Sequence, residues 1–313
     1  MLNPLPRKAP EIKGITHWIN SDPLTIAGLQ GRVVLIDFWT YSCINCIRTQ
    51  PYLNAWYDKY KTAGLVIIGV HTPEFEFEKQ AANVERAVKD EKIQYPVALD
   101  SNYVTWNAFD NHYWPAKYLI DQNGQIVYTH FGEGEYDEME RRIRDLLQQS
   151  GGMAEVRGDL LQTQAGQTPE TYLGYERGRN LMNQDDFKAD APADYSLAPT
   201  VDDGSWSLGG KWRVGPEGST TLEDAATLRM GFSAKEVYLV MDGPKGMAAT
   251  LRVNDKSVTP TINGGADVVA GGRVHLDGAR MYRLVKMPVF TQDATLDVVL
   301  PKGVTVHAFT FGG

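Results

Sequence analysis

The sequence predicts an α/β three-layer domain followed by an all-β domain of the sandwich or jelly-roll type. The chain has 313 residues, about twice the length of a typical domain. Its first half alternates strand-like and helix-like segments, whereas short alternating segments separated by Gly, Pro, Asn and Asp fill the sequence beyond Trp206. We therefore expect an α/β domain over residues 1–150, a connector with one short helix over 151–200, and a β-sandwich over 201–313.

Apolar runs and turn residues place the elements of the first domain. Residues 32–39 and 65–71 are continuous apolar, β-branched runs, as in strands buried on both faces of a sheet. Between them, apolar residues at helical spacing predict a helix that stops near Gly64. The remaining predicted elements are an amphipathic helix over 76–92, a strand over 95–100, a hairpin with a type I′ turn at Asn123–Gly124, and a helix over 137–152.

The second half of the sequence shows a different pattern of apolar and polar residues. In the polar connector, Thr168-Pro169-Glu170 predicts a helix start, with threonine as the N-cap and proline at the first helical position. Runs such as "EVYLVMD" and "ATLDVVLP" then predict the strands of an antiparallel sandwich. We expect Trp206 and Trp212 in its core, and a sugar-stacking platform is the alternative.

Composition excludes several classes of function. The net charge is −8, with −4 in each half, and no basic patch is present, which argues against nucleic acid as a partner. The longest apolar runs are far shorter than the roughly 20 residues that span a bilayer. The first residues contain no apolar signal-peptide core, so this sequence alone predicts no signal peptide.

The two cysteines, Cys43 and Cys46, lie two residues apart, just after the first apolar strand. A structural zinc site usually needs four ligands, but there is no second CxxC and no HxxxH-type histidine pair, so we predict no metal. A structural disulfide closing so short a loop would stabilise the fold little. A redox role explains more, because a thiolate at a helix start is stabilised by the helix dipole and unpaired backbone N–H groups. Cys46, one turn later, would resolve a mixed disulfide on Cys43.

The residues around the pair resemble the thioredoxin superfamily. Asp37 stands six residues before Cys43, and Pro51 stands five after Cys46, as in thioredoxins. The resemblance implies a thioredoxin-like fold and makes Asp37 the buried acid that assists proton transfer at the resolving cysteine. It also matches Pro115, after Trp114, to the superfamily's cis-proline facing the disulfide; an ordinary trans edge proline is the alternative.

Two additions to the plain thioredoxin pattern indicate which branch of the superfamily the sequence resembles. An inserted helix and strand over about 72–100, and an apparent hairpin over 15–32, are similar to the TlpA/ResA branch. "FWTYSCINC", "HTPEFEFEK" and "YWPAKYLID" look like the soluble C-terminal region of DipZ-type proteins. This resemblance implies an extracytoplasmic location, a CcdA-like membrane electron donor and an association with cytochrome c biogenesis. It also implies a carbohydrate-binding-module-like second domain, with a glycan or a protein as its ligand.

Further site residues are predicted around the cysteines. Trp39, Tyr41 and Trp114 are candidates for substrate docking, although core packing explains Trp39 and Tyr41 equally well. His71 and Glu74 follow a strand end, where α/β sites gather, and could transfer protons near Cys46; a capped loop is the alternative.

We therefore predict a thiol-disulfide oxidoreductase that acts on protein thiols and disulfides and needs no cofactor besides a redox-active Cys43–Cys46 disulfide. One alternative is a thiol peroxidase, because Thr40 precedes Cys43 by three residues as in peroxiredoxins. Ile36, however, stands where that pattern needs a proline. The other alternative is a carbohydrate- or protein-binding module on a redox-inert scaffold.

Overall fold

The computed structural model describes residues 6–148, 154–156 and 164–313, and the chain divides into two units, Met1–Leu160 and Leu161–Gly313. Each unit is described by itself. In the part of the chain that the structure describes, no helix is long and apolar enough to cross a membrane.

The described residues of the first unit form a seven-stranded sheet with helices. Its strands are β1 (Arg7–Lys8), β2 (His17–Ile19), β3 (Val33–Trp39), β4 (Leu65–His71), β5 (Val97–Leu99), β6 (Ala116–Ile120) and β7 (Gln125–Phe131). Its helices are α1 (Ile44–Tyr60), α2 (Ala81–Asp90), α3 (Val104–Ala108) and α4 (Tyr136–Leu147), with 3₁₀ helices at Ala27–Leu29, Lys61–Ala63 and Glu76–Lys79. This architecture confirms the predicted α/β fold.

Strand β3 lies at the centre of the sheet, whose strand order is β1-β7-β6-β3-β4-β5-β2. It pairs in parallel with β4 and antiparallel with β6, and all seven of its residues are buried. Side chains alternate along a strand, so Ile36 and Phe38 face one core, where Phe38 contacts Trp106 and Phe109 edge-on. Asp37 consequently points to the opposite face of the sheet.

Three expectations about the first unit are wrong in detail, and one helix was missed. Segment 15–32 is not a hairpin, because it contains one strand, β2, which pairs with β5, and then the 3₁₀ helix Ala27–Leu29. The predicted helix over 76–92 is a 3₁₀ turn and α2, separated at Gln80. Helix α3 was not predicted. The β6–β7 turn is not type I′, because only Gly124, not Asn123, has a positive φ.

The Asp121 carboxylate explains that turn. It accepts hydrogen bonds from the backbone N–H groups of Asn123 and Gln125, and the N–H of Gly124 bonds to the Asp121 carbonyl. This local Asx-type bonding competes with the tighter two-residue turn.

Eleven strands form the part of the second unit that the structure describes. They are β8 (Thr171–Tyr172), β9 (Pro192–Tyr195), β10 (Trp206–Val214), β11 (Ser219–Thr221), β12 (Ala226–Asp242), β13 (Ala248–Val253), β14 (Lys256–Ser257), β15 (Val268–Val269), β16 (Arg273–His275), β17 (Arg280–Leu300) and β18 (Thr305–Gly312). Strand β12 pairs with β10 through its first half and with β18 through its second, with bulges between. A long strand that changes partner at a bulge is consistent with the predicted sandwich. Trp206 and Trp212 are buried in the core, as predicted.

The helix predicted after Thr168 is wrong. Thr171–Tyr172 is a strand paired with β18, and residues 192–195 pair with β10, so the second part of the connector belongs to the second sheet. The Thr168 hydroxyl does not cap a helix; it donates to Asp203 and accepts from the N–H of Ser233. The first part of the connector and the predicted Gly151–Gly152 helix stop lie outside the described residues, apart from 154–156.

Candidate active site

The two cysteines lie where β3 delivers the chain to helix α1. Cys43 is the N-cap residue, with extended backbone (φ −82°, ψ 113°), and its Sγ accepts a hydrogen bond from the N–H of Cys46 at 3.3 Å. A thiol that caps a helix meets the positive end of the helix dipole, which favours the thiolate. Neither cysteine is part of a disulfide in this structure.

The two thiols differ in accessibility. Cys43 is 7% exposed, whereas Cys46 is completely buried. Burial raises the pKa of the Cys46 thiol, and a hydrogen bond with Cys43 only partly offsets this; the charge of Asp37 raises it further. Cys46 therefore needs a base before it can act as a nucleophile.

Asp37 is completely buried beside Lys117 of β6, with 3.6 Å between Lys117 Nζ and Asp37 Oδ1. That distance is too long for a hydrogen bond, so the attraction is mainly coulombic. Burial raises the pKa of Asp37 to about 6, although Lys117 lowers it. A carboxyl group of this acidity can take up and release a proton near neutral pH, as the role predicted for Asp37 requires.

The Trp114–Pro115 peptide bond is cis, as predicted. Pro115 precedes β6, the strand beside β3, and its carbonyl accepts a hydrogen bond from Gly132. Trp114 is half-buried: its Nε1 donates to the carbonyl of Thr72 at 3.0 Å, and its ring packs on Trp106.

Trp39 does not form part of a docking surface. It is completely buried, with its ring edge against His71, because both faces of β3 are covered. The docking prediction is therefore wrong for Trp39, and the alternative of core packing holds. Tyr41 is 7% exposed and stacks on His71, so docking through Tyr41 and Trp114 stays a prediction.

His71 is buried at the end of β4, with its Nε2 at 3.3 Å from the Thr40 hydroxyl. Burial lowers the pKa of His71 to about 3, which leaves the imidazole neutral at physiological pH. This argues against a shuttle that must gain and lose a proton near neutral pH. Glu74 is partly buried in the following loop. Proton transfer by these two residues stays a prediction.

Three buried charged residues near the cysteines were missed. Lys117 is paired with Asp37, and Arg48 of α1 donates to Asn45 Oδ1 (3.1 Å) and Glu133 Oε1 (3.0 Å). Glu78 accepts hydrogen bonds from Ser42. Only Lys117 carried a signal in the sequence, because it interrupts an apolar strand two residues after the predicted cis-proline.

The second unit contains a cavity of about 450 Å³ beside β10. Its lining combines the partly exposed rings of Tyr175 and Phe187 with the polar residues Arg179, Asn180 and Gln184. A glycan or protein ligand for this unit stays a prediction.

Comparisons with known proteins agree with this geometry. Residues 7–147 match the family model described as Redoxin, and residues 168–312 match the one described as "Thioredoxin like C-terminal domain". The thiol-disulfide oxidoreductase ResA of Bacillus cereus is 30% identical over 123 residues, which are 39% of this chain and 68% of ResA. The chain belongs to the thioredoxin-like thiol-disulfide oxidoreductases.

Two further relatives of this oxidoreductase are informative. The thiol-disulfide oxidoreductase YkuV of Bacillus subtilis is 29% identical over 138 residues, covering 44% of this chain and 93% of YkuV. Protein DipZ of Mycobacterium bovis is 37% identical over 320 residues, covering 97% of this chain and 43% of DipZ. The chain thus spans less than half the length of DipZ, and the predicted resemblance to the DipZ and ResA proteins is confirmed.

Proposed function

We propose that Cys43 is the attacking thiol and Cys46 the resolving thiol of a redox-active pair that exchanges disulfides with proteins. This assignment rests on the unequal burial of the two cysteine residues. Cys43 is 7% exposed and caps a helix, whereas Cys46 is completely buried and near enough to Asp37 for the charge of that carboxylate to raise the pKa of its thiol.

Reduction of a partner disulfide by this pair conserves atoms and electrons without a further cofactor. The Cys43 thiolate attacks one sulfur of a partner disulfide, so that a Cys43–partner bond forms and the partner's other sulfur leaves as a thiolate. Cys46 then loses its proton to Asp37 and attacks the Cys43 sulfur, releasing the partner's second thiolate. The partner has gained two electrons, and Cys43–Cys46 has become a disulfide.

We further propose that the pair works in the reducing direction outside the cytoplasm, with electrons supplied by a CcdA-like membrane carrier. Support comes from the similarity to DipZ over 97% of the chain, together with the DipZ-type sequence features. The partners are then extracytoplasmic proteins with disulfides to reduce. No observation favours a peroxidase, because the Thr40 hydroxyl is buried and contacts His71 and Glu78.

Reduction of insulin by dithiothreitol tests the proposed activity. The wild-type chain should accelerate precipitation of the insulin B chain, whereas Cys43→Ser and Cys46→Ser should remain at the uncatalysed rate, because each lacks one half of the cycle. Near-ultraviolet circular dichroism checks that both variants are folded. A wild-type rate no higher than that of the Cys43→Ser variant would contradict the proposal.

A further inference from the structure

A buried carboxylate contacts the loop that carries Cys43. Glu78 belongs to the 3₁₀ helix Glu76–Lys79 and is completely buried, although Glu76 and Lys79 of the same turn are exposed. We call residues 40–43 the active-site loop. No role in the disulfide-exchange cycle derived above uses Glu78.

Both oxygens of Glu78 accept hydrogen bonds. Oε1 accepts from the hydroxyl of Ser42 at 2.6 Å and from its N–H at 3.3 Å. Oε2 accepts from the N–H groups of Glu74 (2.5 Å) and Phe75 (3.0 Å), and the Thr40 hydroxyl also bonds to the carboxyl group. One side chain therefore ties two residues of the active-site loop to the segment after β4.

Capping the 3₁₀ helix does not require this burial. An exposed glutamate could accept the N–H groups of Glu74 and Phe75 equally well. Burial disfavours the charged form of the carboxyl group. Together with the nearby charge of Glu74, it raises the pKa of Glu78 to about 7. Burial brings the carboxyl group of Glu78 into contact with Ser42 and Thr40 of the active-site loop.

We propose that Glu78 is a positioning residue of the redox centre, which fixes Ser42 and thereby holds Cys43 at the start of helix α1. The proposal rests on the function given above, in which Cys43 is the attacking thiol. Ser42 directly precedes Cys43, so a shift of its backbone moves the thiol relative to the helix N–H groups that stabilise the thiolate.

The Glu78→Gln variant tests the proposal in a Cys46→Ser background, where Cys43 is the sole thiol. The rate of Cys43 alkylation by iodoacetamide is measured against pH. We expect a higher apparent pKa for Cys43 and an alkylation rate at pH 7 about three- to tenfold lower, because the glutamine amide presents an N–H group to backbone or hydroxyl donors. Loss of the negative charge alone would act in the opposite direction, since it would lower the pKa of a nearby thiol.

Two further variants separate positioning from other effects. Glu76→Gln removes an exposed carboxylate of the same 3₁₀ turn and should leave the alkylation profile unchanged. Ser42→Ala keeps the charge of Glu78 but removes its 2.6 Å hydrogen bond, and it should raise the Cys43 pKa by less than Glu78→Gln does. In the double variant, the fold-changes in Cys43 alkylation rate caused by Ser42→Ala and by Glu78→Gln should combine to less than their product. Both substitutions disrupt the same hydrogen bond between Ser42 and Glu78.

An alkylation profile of Glu78→Gln that matches Glu76→Gln, or a lowered Cys43 pKa, would overturn the proposal. If Glu78→Gln does not fold, the Ser42→Ala variant provides the test. An alkylation profile of Ser42→Ala that is unchanged from the parent protein would then overturn the proposal. Iodoacetamide needs no protein partner. Failure of Glu78 to position Cys43 is therefore distinguishable from failure of the chain to reduce protein disulfides.

Discussion

Replacement of Asp37 by Asn is expected to slow the resolution of mixed disulfides about 100-fold at pH 7. Cys46 is completely buried and its pKa is raised, so its proton needs an acceptor inside the protein. Asp37, with a pKa of about 6, is mostly ionised at pH 7 and can take that proton. General base catalysis of this kind contributes about 10²- to 10⁴-fold, and we take the lower end of that range.

The rate of resolution should depend on pH through the ionisation of Asp37. Asp37 becomes a base as pH rises through about 6, so the wild-type resolution rate should increase over that range. The Asp37→Asn variant should lose this increase and accumulate the mixed disulfide with a small aromatic disulfide in rapid-quench experiments. Asp58→Asn, an exposed carboxylate on α1, is the matched control. Equal profiles for the Asp37→Asn and wild-type proteins would show that Asp37 takes no part in the proton transfer.

Replacement of Lys117 by Met should destabilise the first unit by about 3 kcal/mol at pH 8, because it leaves the Asp37 carboxylate buried without a cation. In the wild type the folded-state pKa of Asp37, about 6, lies above the ordinary value of 3.8. The folded state therefore binds more protons, and the stability from this group is lost as pH rises from about 4 to about 6. Without Lys117 the Asp37 pKa is higher still, and the loss extends to higher pH.

The difference between the variant and the wild type should consequently be much smaller at pH 5 than at pH 8. Hydrogen exchange of the β3 and β6 amides measures it, because that readout reports opening of this unit alone. Lys8→Met, an exposed strand lysine in the same sheet, should show little effect at either pH. A destabilisation by Lys117→Met that is the same at pH 5 and pH 8 would mean that the charge of Asp37 is not what Lys117 stabilises.

The central strand and the catalytic pair were predictable because their signals are local in sequence. A continuous apolar run gives β3, a fixed offset from Cys43 gives Asp37, and the match of Trp114-Pro115 before "AKYLID" to the superfamily pattern gives Pro115. These features need no knowledge of which other elements lie nearby, so a motif along the chain is enough.

The partners of those residues were not predictable in the same way. Lys117 meets Asp37 through antiparallel pairing of β6 with β3, and Glu78 reaches Ser42 across 36 positions of sequence. In "EFEFE" three acidic residues alternate with phenylalanines, and no local pattern distinguishes the buried Glu78 from the exposed Glu76. Tertiary contacts also decided the strand at Thr171–Tyr172, where local capping chemistry favoured a helix.

Covalent trapping tests the central claim, that Cys43 attacks and Cys46 resolves. Each single Cys→Ser variant is incubated with an extracytoplasmic extract of the source organism and with a purified disulfide protein, and adducts are identified by mass spectrometry after alkylation. Cys46→Ser should accumulate mixed disulfides through Cys43, and Cys43→Ser should accumulate almost none, because Cys46 is completely enclosed. Equal trapping by both variants, or trapping by Cys43→Ser alone, would contradict the assignment.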